Sequence, residues 1–190
     1  MSARQDAYIA ELVLSQPEVV AGLFLGCLGI GTAALFLARR LGWRPVPAAL
    51  AGCGLALALA VTLGRPGVLD AGVLTTDPIG WCVANEFSLT GSLQRLNLLM
   101  LVPFAFFATT ATGRPVVVLA LSAGLSGTVE LVQATTGLGV CEAQDFANNT
   151  VGATFAVLVA WLVNLLVTAV TGSARAERED RPARDQATTR

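Results

Sequence analysis

Five long apolar runs, separated by short charged or glycine-rich segments, constrain the fold of this chain more than any other feature. They cover residues 19–38, 46–64, 96–112, 116–135 and 146–171. About 20 apolar residues in a helix cross the hydrocarbon core of a bilayer, which is about 30 Å thick. The runs are continuous rather than alternating, and lipid offers an open strand no hydrogen-bond partners. The pattern therefore predicts an all-α, polytopic membrane bundle of about five transmembrane helices.

The composition agrees with a membrane protein and excludes several other classes. Of the 190 residues, 54% are hydrophobic and 13% are charged, which is too little charge to cover the surface of a soluble domain. The net charge of −1 provides no basic surface for nucleic acid. The chain has no His, which excludes a His-based zinc site and a Ser-His catalytic pair. We predict no metal and no other cofactor.

The distribution of arginine predicts the orientation of the bundle, because positively charged loops stay on the cytoplasmic side. With the N-terminus outside, nine Arg lie inside and three lie outside, and the reverse topology inverts this ratio. We therefore predict N-out and C-in, with a membrane domain over residues 1–172 and a disordered cytoplasmic tail over residues 173–190. The cytoplasmic cations are Arg39, Arg40, Arg44, Arg114 and the five Arg of the tail.

The four cysteines fall into two pairs by their surroundings. Cys27 and Cys53 lie within apolar runs, where a free Cys behaves as a small buried residue. Cys82 and Cys141 lie in segments that the predicted topology places on the outer, oxidising side. Because disulfides form in such compartments, we hypothesise a Cys82–Cys141 disulfide.

The ionisable residue inside the fourth run is the strongest indication of a functional site. Glu130 lies in the outer part of this helix, where a charged side chain costs about 3 kcal/mol on insertion scales. Ser122, Ser126, Glu130 and Gln133 follow helical spacing and share one face, which therefore points at other helices or at water. Arg95, just before the third run, is a candidate partner for the Glu130 carboxylate.

Polar residues also stand at the outer ends of the third and fifth runs. Asp145, Asn149 and Gly152 share one face of the fifth helix, and Asn97 opens the third. The predicted topology lets these residues converge with the fourth helix in one pocket. The predicted ligand-binding residues are Asn97, Ser126, Gln133 and Asn149, and the catalytic residues, if the protein is an enzyme, are Glu130 and Asp145.

Each of these residues also has a structural interpretation that stays open at this point. Asp145 is equally suited to cap the fifth helix. Asn97 and Asn149 fit hydrogen bonds between helices, and Ser126 fits a bond to its own helix backbone. Glu130 is harder to explain in this way, because a buried carboxylate still needs a partner.

Three segments resemble sequence elements of the VanZ-like family. Residues 126–133 (SGTVELVQ) are similar to its S-x-x-x-E-x-x-Q element, and residues 145–153 (DFANNTVGA) to its D-x-x-x-N-T-x-G-A element. Residues 97–104 (NLLMLVPF) are similar to its N-x-x-x-x-x-P-F element. The order and spacing agree in all three. The family often has an Arg shortly before the acidic pair, where this chain reads GLGV at 137–140.

The resemblance implies a multi-pass protein of the bacterial cytoplasmic membrane that acts in the cell envelope. VanZ-like proteins are associated with resistance to teicoplanin-type glycopeptides. We hypothesise that the protein binds a lipid-linked wall precursor or a lipophilic glycopeptide, with the outer polar pocket supplying the hydrogen bonds. One alternative is a membrane-embedded enzyme that acts on a lipid-linked envelope precursor, with Glu130 and Asp145 as general base and acid. Another is a transporter or a subunit of one, which five spans without an inverted repeat favour less. The expected partners are the lipid bilayer and such a ligand.

Overall fold

The computed structural model describes residues 3–63, 82–136 and 141–188, and most of these residues are helical. A helix at Ala3–Leu14, here called the N-terminal helix, precedes five helices that are long and apolar enough to cross a membrane. The predicted all-α bundle of five spans is thus confirmed, whereas its N-out, C-in orientation stays a prediction. The first to fifth spans are Pro17–Leu41, Pro45–Thr62, Ser92–Thr112, Pro115–Thr135 and Ala143–Gly172.

Each span begins slightly earlier in the chain than the apolar run that predicted it. Three spans begin with a proline, at Pro17, Pro45 and Pro115. Proline suits the first turn of a helix because its fixed φ is helical and because the N–H of that position has no helical partner. Hydropathy alone does not register such first turns.

Two spans contain an irregular turn. The first span is α-helical over Pro17–Gly26 and Thr32–Leu41, with a π-helical turn at Cys27–Gly31 between them. The third span is interrupted at Leu101, two residues before Pro103. A proline ring clashes with the preceding helical turn and supplies no N–H, which explains the interruption. The two helices of the third span are Ser92–Met100 and Val102–Thr112.

Small residues form the centre of the bundle, and large apolar side chains face outward. Ala105 and Ala153 are fully buried in a cluster with Leu101, whereas Phe24 and Phe155 are about two-thirds exposed. Spans in a bilayer gain nothing from hiding large apolar side chains from lipid, so close contact between small residues drives their association. The exposed large side chains therefore mark the lipid-facing surface.

The spans pack in an order that differs from their order along the chain. The first span packs on the second, the second on the third, and the third on the fifth. The fourth span lies mainly against the fifth. The N-terminal helix packs against the beginning of the third span. The fifth span therefore contacts both segments that carry the other polar residues predicted from the sequence.

One end of the bundle carries Arg39, Arg40, Arg44 and Arg114 and is here called the Arg-rich end. Near this end, Asn164 of the fifth span makes hydrogen bonds to Arg44, just before the second span, and to Thr109 of the third span. Its Oδ1 accepts a hydrogen bond from an Arg44 guanidinium nitrogen at 2.9 Å, and its Nδ2 donates to the Thr109 carbonyl at 3.2 Å. Asn164 was not among the residues predicted from the sequence.

The helix that contains the fifth span extends beyond the membrane segment. It runs from Ala143 to Thr188, so the backbone of residues 173–188 is helical in the structure. The charge of this segment predicts a disordered tail, but the segment is also rich in Ala, Glu and Arg, which favour helix.

Candidate functional site

A short segment before the third span is attached to the start of the fifth span, at the end of the bundle opposite the Arg-rich end. Cys82 and Cys141, the pair hypothesised from the sequence, are joined by a disulfide in the structure. Beside it, Val83 pairs with Glu142 through two backbone hydrogen bonds, Val83 N to Cys141 O at 2.9 Å and Ala143 N to Val83 O at 3.0 Å. This attachment brings residues 83–90 next to the first turns of the fifth span.

The Glu130 carboxylate is buried and takes part in the start of the fifth helix. Glu130 is 8% exposed, and its Oε2 accepts a hydrogen bond from the backbone N–H of Glu142 at 2.9 Å. Glu142 directly precedes the helix that begins at Ala143. In a capping box, a Glu within the helix reaches back to this same kind of N–H. Here a Glu from a neighbouring helix does so.

Asn85 caps the fifth helix from the attached segment. Its Oδ1 accepts a hydrogen bond from the backbone N–H of Gln144 at 3.0 Å, and its Nδ2 donates to Glu142 Oε2 at 3.0 Å. N–H groups in the first helical turn have no partner within the helix, so Asn85 satisfies one of them. Two side chains from distant parts of the chain thus hold this helix terminus in place.

The carbonyl of Ser88 receives two side-chain amides from the fifth span. Gln144 Nε2 donates to it at 3.0 Å and Asn148 Nδ2 at 3.4 Å. A carbonyl oxygen only accepts hydrogen bonds, so the nitrogen of each amide must face it. The oxygen of the Asn148 amide therefore points away from Ser88.

Asn149 joins the fifth span to the fourth. Its Nδ2 donates to Ser126 Oγ at 3.1 Å, and both side chains are almost fully buried. The two helices run in opposite directions, so the residue one turn from Ser126, Glu130, lies level with the residue one turn from Asn149, Asp145. Asp145 and Glu142 are accordingly the acidic neighbours of the Glu130 carboxylate.

Three buried acceptor atoms of this region have no hydrogen-bond partner: Asn148 Oδ1, Asn149 Oδ1 and Gln133 Oε1. Asn148 is 0% exposed and Asn149 is 1% exposed. Leaving a buried polar group without a partner costs about 1–3 kcal/mol, so such atoms are rare and need an explanation. All three are oxygens that accept hydrogen bonds. Gln133 lies in the fourth span together with Glu130, and Asn148 and Asn149 lie in the fifth span.

The close approach of the third and fifth spans depends on Gly152. A Cβ atom added to Gly152 would collide with the carbonyl oxygen of Leu98. Asn148, one turn before Gly152 on the same helix face, is thereby held against the segment that contains Ser88. This contact gives a physical reason for the glycine in the D-x-x-x-N-T-x-G-A pattern.

Arg95 is not the partner of Glu130. Its guanidinium donates to the two carboxylate oxygens of Asp6, at 2.8 and 2.5 Å, and to the carbonyls of Leu89 and Thr90. The hydrogen bond from Arg95 lowers the pKa of the Asp6 carboxyl to about 2. The candidate pairing of Arg95 with Glu130 was therefore wrong, because the N-terminal helix supplies a closer carboxylate.

The structure brings most of the predicted site residues together. Ser126, Glu130, Gln133, Asp145 and Asn149 lie along the contact between the fourth and fifth spans. Asn97 is buried in the third span, and its side chain makes no hydrogen bond to another described residue. We call the assembled group the polar cluster, and it consists of Asn85, Ser88, Ser126, Glu130, Gln133, Glu142, Gln144, Asp145, Asn148 and Asn149.

Several members of the polar cluster were not predicted, among them Asn85, Ser88 and Asn148. A signal for Asn85 was present, because it follows Cys82 by three residues and the hypothesised disulfide brings Cys82 to the start of the fifth helix. Asn148 lies beside Asn149, but helical spacing alone favoured Asn149. In the described part of the chain, no group of three or more Cys, Asp or Glu side chains is arranged to hold a metal ion.

These features define a class of protein: an α-helical multi-pass membrane protein with a buried polar cluster at one end. Residues 74–164 match the family model described as VanZ/LLP1, which confirms the resemblance seen in the sequence. The match includes the whole polar cluster, whereas the first two spans lie before it. No curated protein and no solved structure matches the chain.

Proposed function

We propose that this VanZ-like protein acts in the bacterial cell envelope by binding a lipid-linked wall precursor or a lipophilic, teicoplanin-type glycopeptide at the polar cluster. Binding there would reduce the susceptibility of the cell to the glycopeptide. The cluster would lie in the outer leaflet of the cytoplasmic membrane under the orientation predicted from the arginines. The protein would act by binding rather than by catalysis.

The observation that carries this proposal is the set of unpartnered acceptors. Asn148 Oδ1 is the clearest, because the Ser88 carbonyl requires the amide nitrogen on its own side. Together with the carboxylate of Glu130, these oxygens suit a ligand that donates several hydrogen bonds. Sugar hydroxyls, peptide N–H groups and ammonium groups are such donors, and both candidate ligands carry them. An incoming donor would also remove the cost of the unpartnered oxygens.

The surface beside the cluster suits the lipid part of such a ligand. Leu131 of the fourth span and Phe155 of the fifth span are exposed on the lipid-facing surface, and these two spans carry most of the polar cluster. A ligand with a polar head and an acyl or prenyl chain would place its head in the cluster and its chain along this surface. Because the chain lies in the hydrocarbon of the bilayer before and after binding, it orients the ligand at this surface, and the polar head supplies the hydrogen bonds.

The first experiment measures teicoplanin susceptibility in a sensitive host that expresses the protein. Wild type should protect the host, and Glu130→Gln and Asn148→Ala should abolish protection at equal membrane abundance. Glu11→Gln and Thr128→Ala are the matched controls, because both residues are exposed and lie outside the cluster. They should protect like wild type.

A glycopeptide without an acyl chain distinguishes the two ligands in the same host. Protection against both glycopeptides indicates that the protein binds the wall precursor that both drugs target. Protection against the acylated drug alone indicates that the protein binds the drug. If wild type gives no protection, or if Glu130→Gln and Asn148→Ala protect fully, the proposal is wrong.

A membrane-embedded enzyme is the second candidate. It is favoured because Glu130 and Asp145 lie at the same height on two neighbouring helices. Two neighbouring carboxylates can divide the roles of general base and general acid. Purified protein incubated with a lipid-linked wall precursor would then release a product detectable by mass spectrometry, and Asp145→Asn would stop the release. Glu86→Gln, in the attached segment but outside the cluster, is the control. Binding without turnover favours the first candidate.

A further inference from the structure

A second feature lies at the Arg-rich end, away from the polar cluster. A cavity of about 200 Å³, open on one side, is lined by residues of the first four spans. Most of its wall is apolar. Its wall includes Ala34, Trp43, Ala108, Arg114, Val117 and Leu121.

The cavity is accessible from the lipid-facing side of the bundle. Val117 and Leu121 of the fourth span line it and are also exposed at the surface. Their exposure faces the region that acyl chains occupy in a bilayer, because these side chains belong to a membrane span. Trp43 lines the same cavity near the end of the first span, the level at which Trp is typical of a membrane–water interface.

The charge around the cavity selects an anion. Arg114 lines one end, is exposed, and makes no side-chain hydrogen bond or ion pair with a described residue. Wherever side chains are described, every Asp and Glu lies toward the opposite end of the bundle. An anionic group that approaches Arg114 therefore meets additional cations at Arg39, Arg40 and Arg44 and no described carboxylate. Arginine is well suited to a phosphate because its donors form a planar fork.

We propose that this cavity binds one anionic phospholipid, with part of an acyl chain between the first four spans and the phosphate paired with Arg114. The apolar wall accounts for the chain, and the cationic end accounts for the headgroup. The site is separate from the polar cluster and gives the first two spans a role, although they contribute no residue to that cluster. Under the predicted orientation the lipid belongs to the cytoplasmic leaflet.

The test is native mass spectrometry of the full chain after exchange into mixed micelles that contain phosphatidylglycerol or phosphatidylcholine with identical acyl chains. Wild type should retain one phosphatidylglycerol more strongly than one phosphatidylcholine. Arg114→Gln should lower phosphatidylglycerol retention about fivefold, the effect of one Arg on an anionic lipid headgroup. Arg40→Gln, at the same end but outside the cavity wall, is the control and should retain the lipid like wild type.

Filling the cavity tests the position of the acyl chain. Ala34→Leu and Ala108→Leu enter the cavity from two different spans, so one variant decides if the other fails to fold. Both should lose the retained lipid, whereas Ala120→Leu, on the exposed face of the fourth span, should keep it. The proposal is overturned if the two lipids are retained equally, if Arg40→Gln acts like Arg114→Gln, or if folded cavity-filling variants keep the lipid.

Discussion

The two ends of the fifth span use the same side chain in different ways. Asn164, toward the Arg-rich end, uses both sides of its amide, with Oδ1 bonded to Arg44 and Nδ2 to the Thr109 carbonyl. Asn148 and Asn149, near the other end, use only the nitrogen, and their oxygens have no partner although they are buried. An amide satisfied on both sides stabilises helix packing. An amide satisfied on one side leaves a buried acceptor without a partner, at the expense of stability.

The polar cluster also differs from the Arg-rich end in how its side chains are held in place. The polar cluster is held in place from outside, by a disulfide, by Asn85 and by the segment that Arg95 organises. Such support fixes the position of side chains that do not satisfy each other. Binding sites commonly show this arrangement, because rigid supports keep the binding atoms in place for a ligand. Substitutions that remove these supports should therefore differ in effect from substitutions that remove the atoms they position.

Loss of the disulfide should have the largest effect. Replacing Cys82 and Cys141 with serine should lower the free energy of unfolding by about 2–4 kcal/mol, because the disulfide restrains the unfolded chain and holds the attached segment. Thermal unfolding in detergent measures the change. The background carries Cys27→Ala and Cys53→Ala, since both of these cysteines are free. An unchanged melting temperature would show that the other hydrogen bonds hold the segment without the disulfide.

Exchanging the two kinds of asparagine for alanine tests the comparison directly. Asn164→Ala should destabilise the protein by about 1–2 kcal/mol, because it removes two hydrogen bonds, one to the Thr109 carbonyl and one from Arg44. Asn148→Ala should destabilise it by less than about 1 kcal/mol, because it removes one long hydrogen bond together with an unpartnered oxygen. Urea or thermal unfolding of both variants provides the measurement. Equal or reversed costs would contradict the distinction between the two ends.

Protonation of Asp6 should have the smallest effect. The pKa of its carboxyl is lowered from 3.8 to about 2 by the hydrogen bond from Arg95. The contribution of Asp6 to stability is therefore fully present above about pH 3.8 and is lost as the pH falls through about 2. As the pH falls through this range, the protection of the N-terminal helix amides against hydrogen exchange, relative to their intrinsic rates, should decrease in wild type and change less in Asp6→Asn. Identical profiles would show that the ion pair does not hold this helix.

The sequence predicted part of the polar cluster, namely which residues share one face of a helix. Helical spacing grouped Ser126, Glu130 and Gln133 on one face and Asp145 with Asn149 on another, and the structure brings these two faces together. Spacing identifies the face of a helix, but it does not identify the helix that opposes that face. For this reason Arg95 was assigned a wrong candidate partner. Its actual partner, Asp6, lies 89 positions away in the chain.

The sequence alone determined the class of protein, the number of spans and their approximate limits, because a bilayer imposes a length and a polarity that can be read residue by residue. Three short patterns also indicated the family. Only the tertiary structure decided that a backbone N–H of Glu142, rather than an arginine, meets the Glu130 carboxylate. It also decided that Asn148 has an oxygen without a partner while Asn164 is satisfied on both sides. Hydrogen bonds of this kind depend on which helices become neighbours, and a linear pattern does not contain that information.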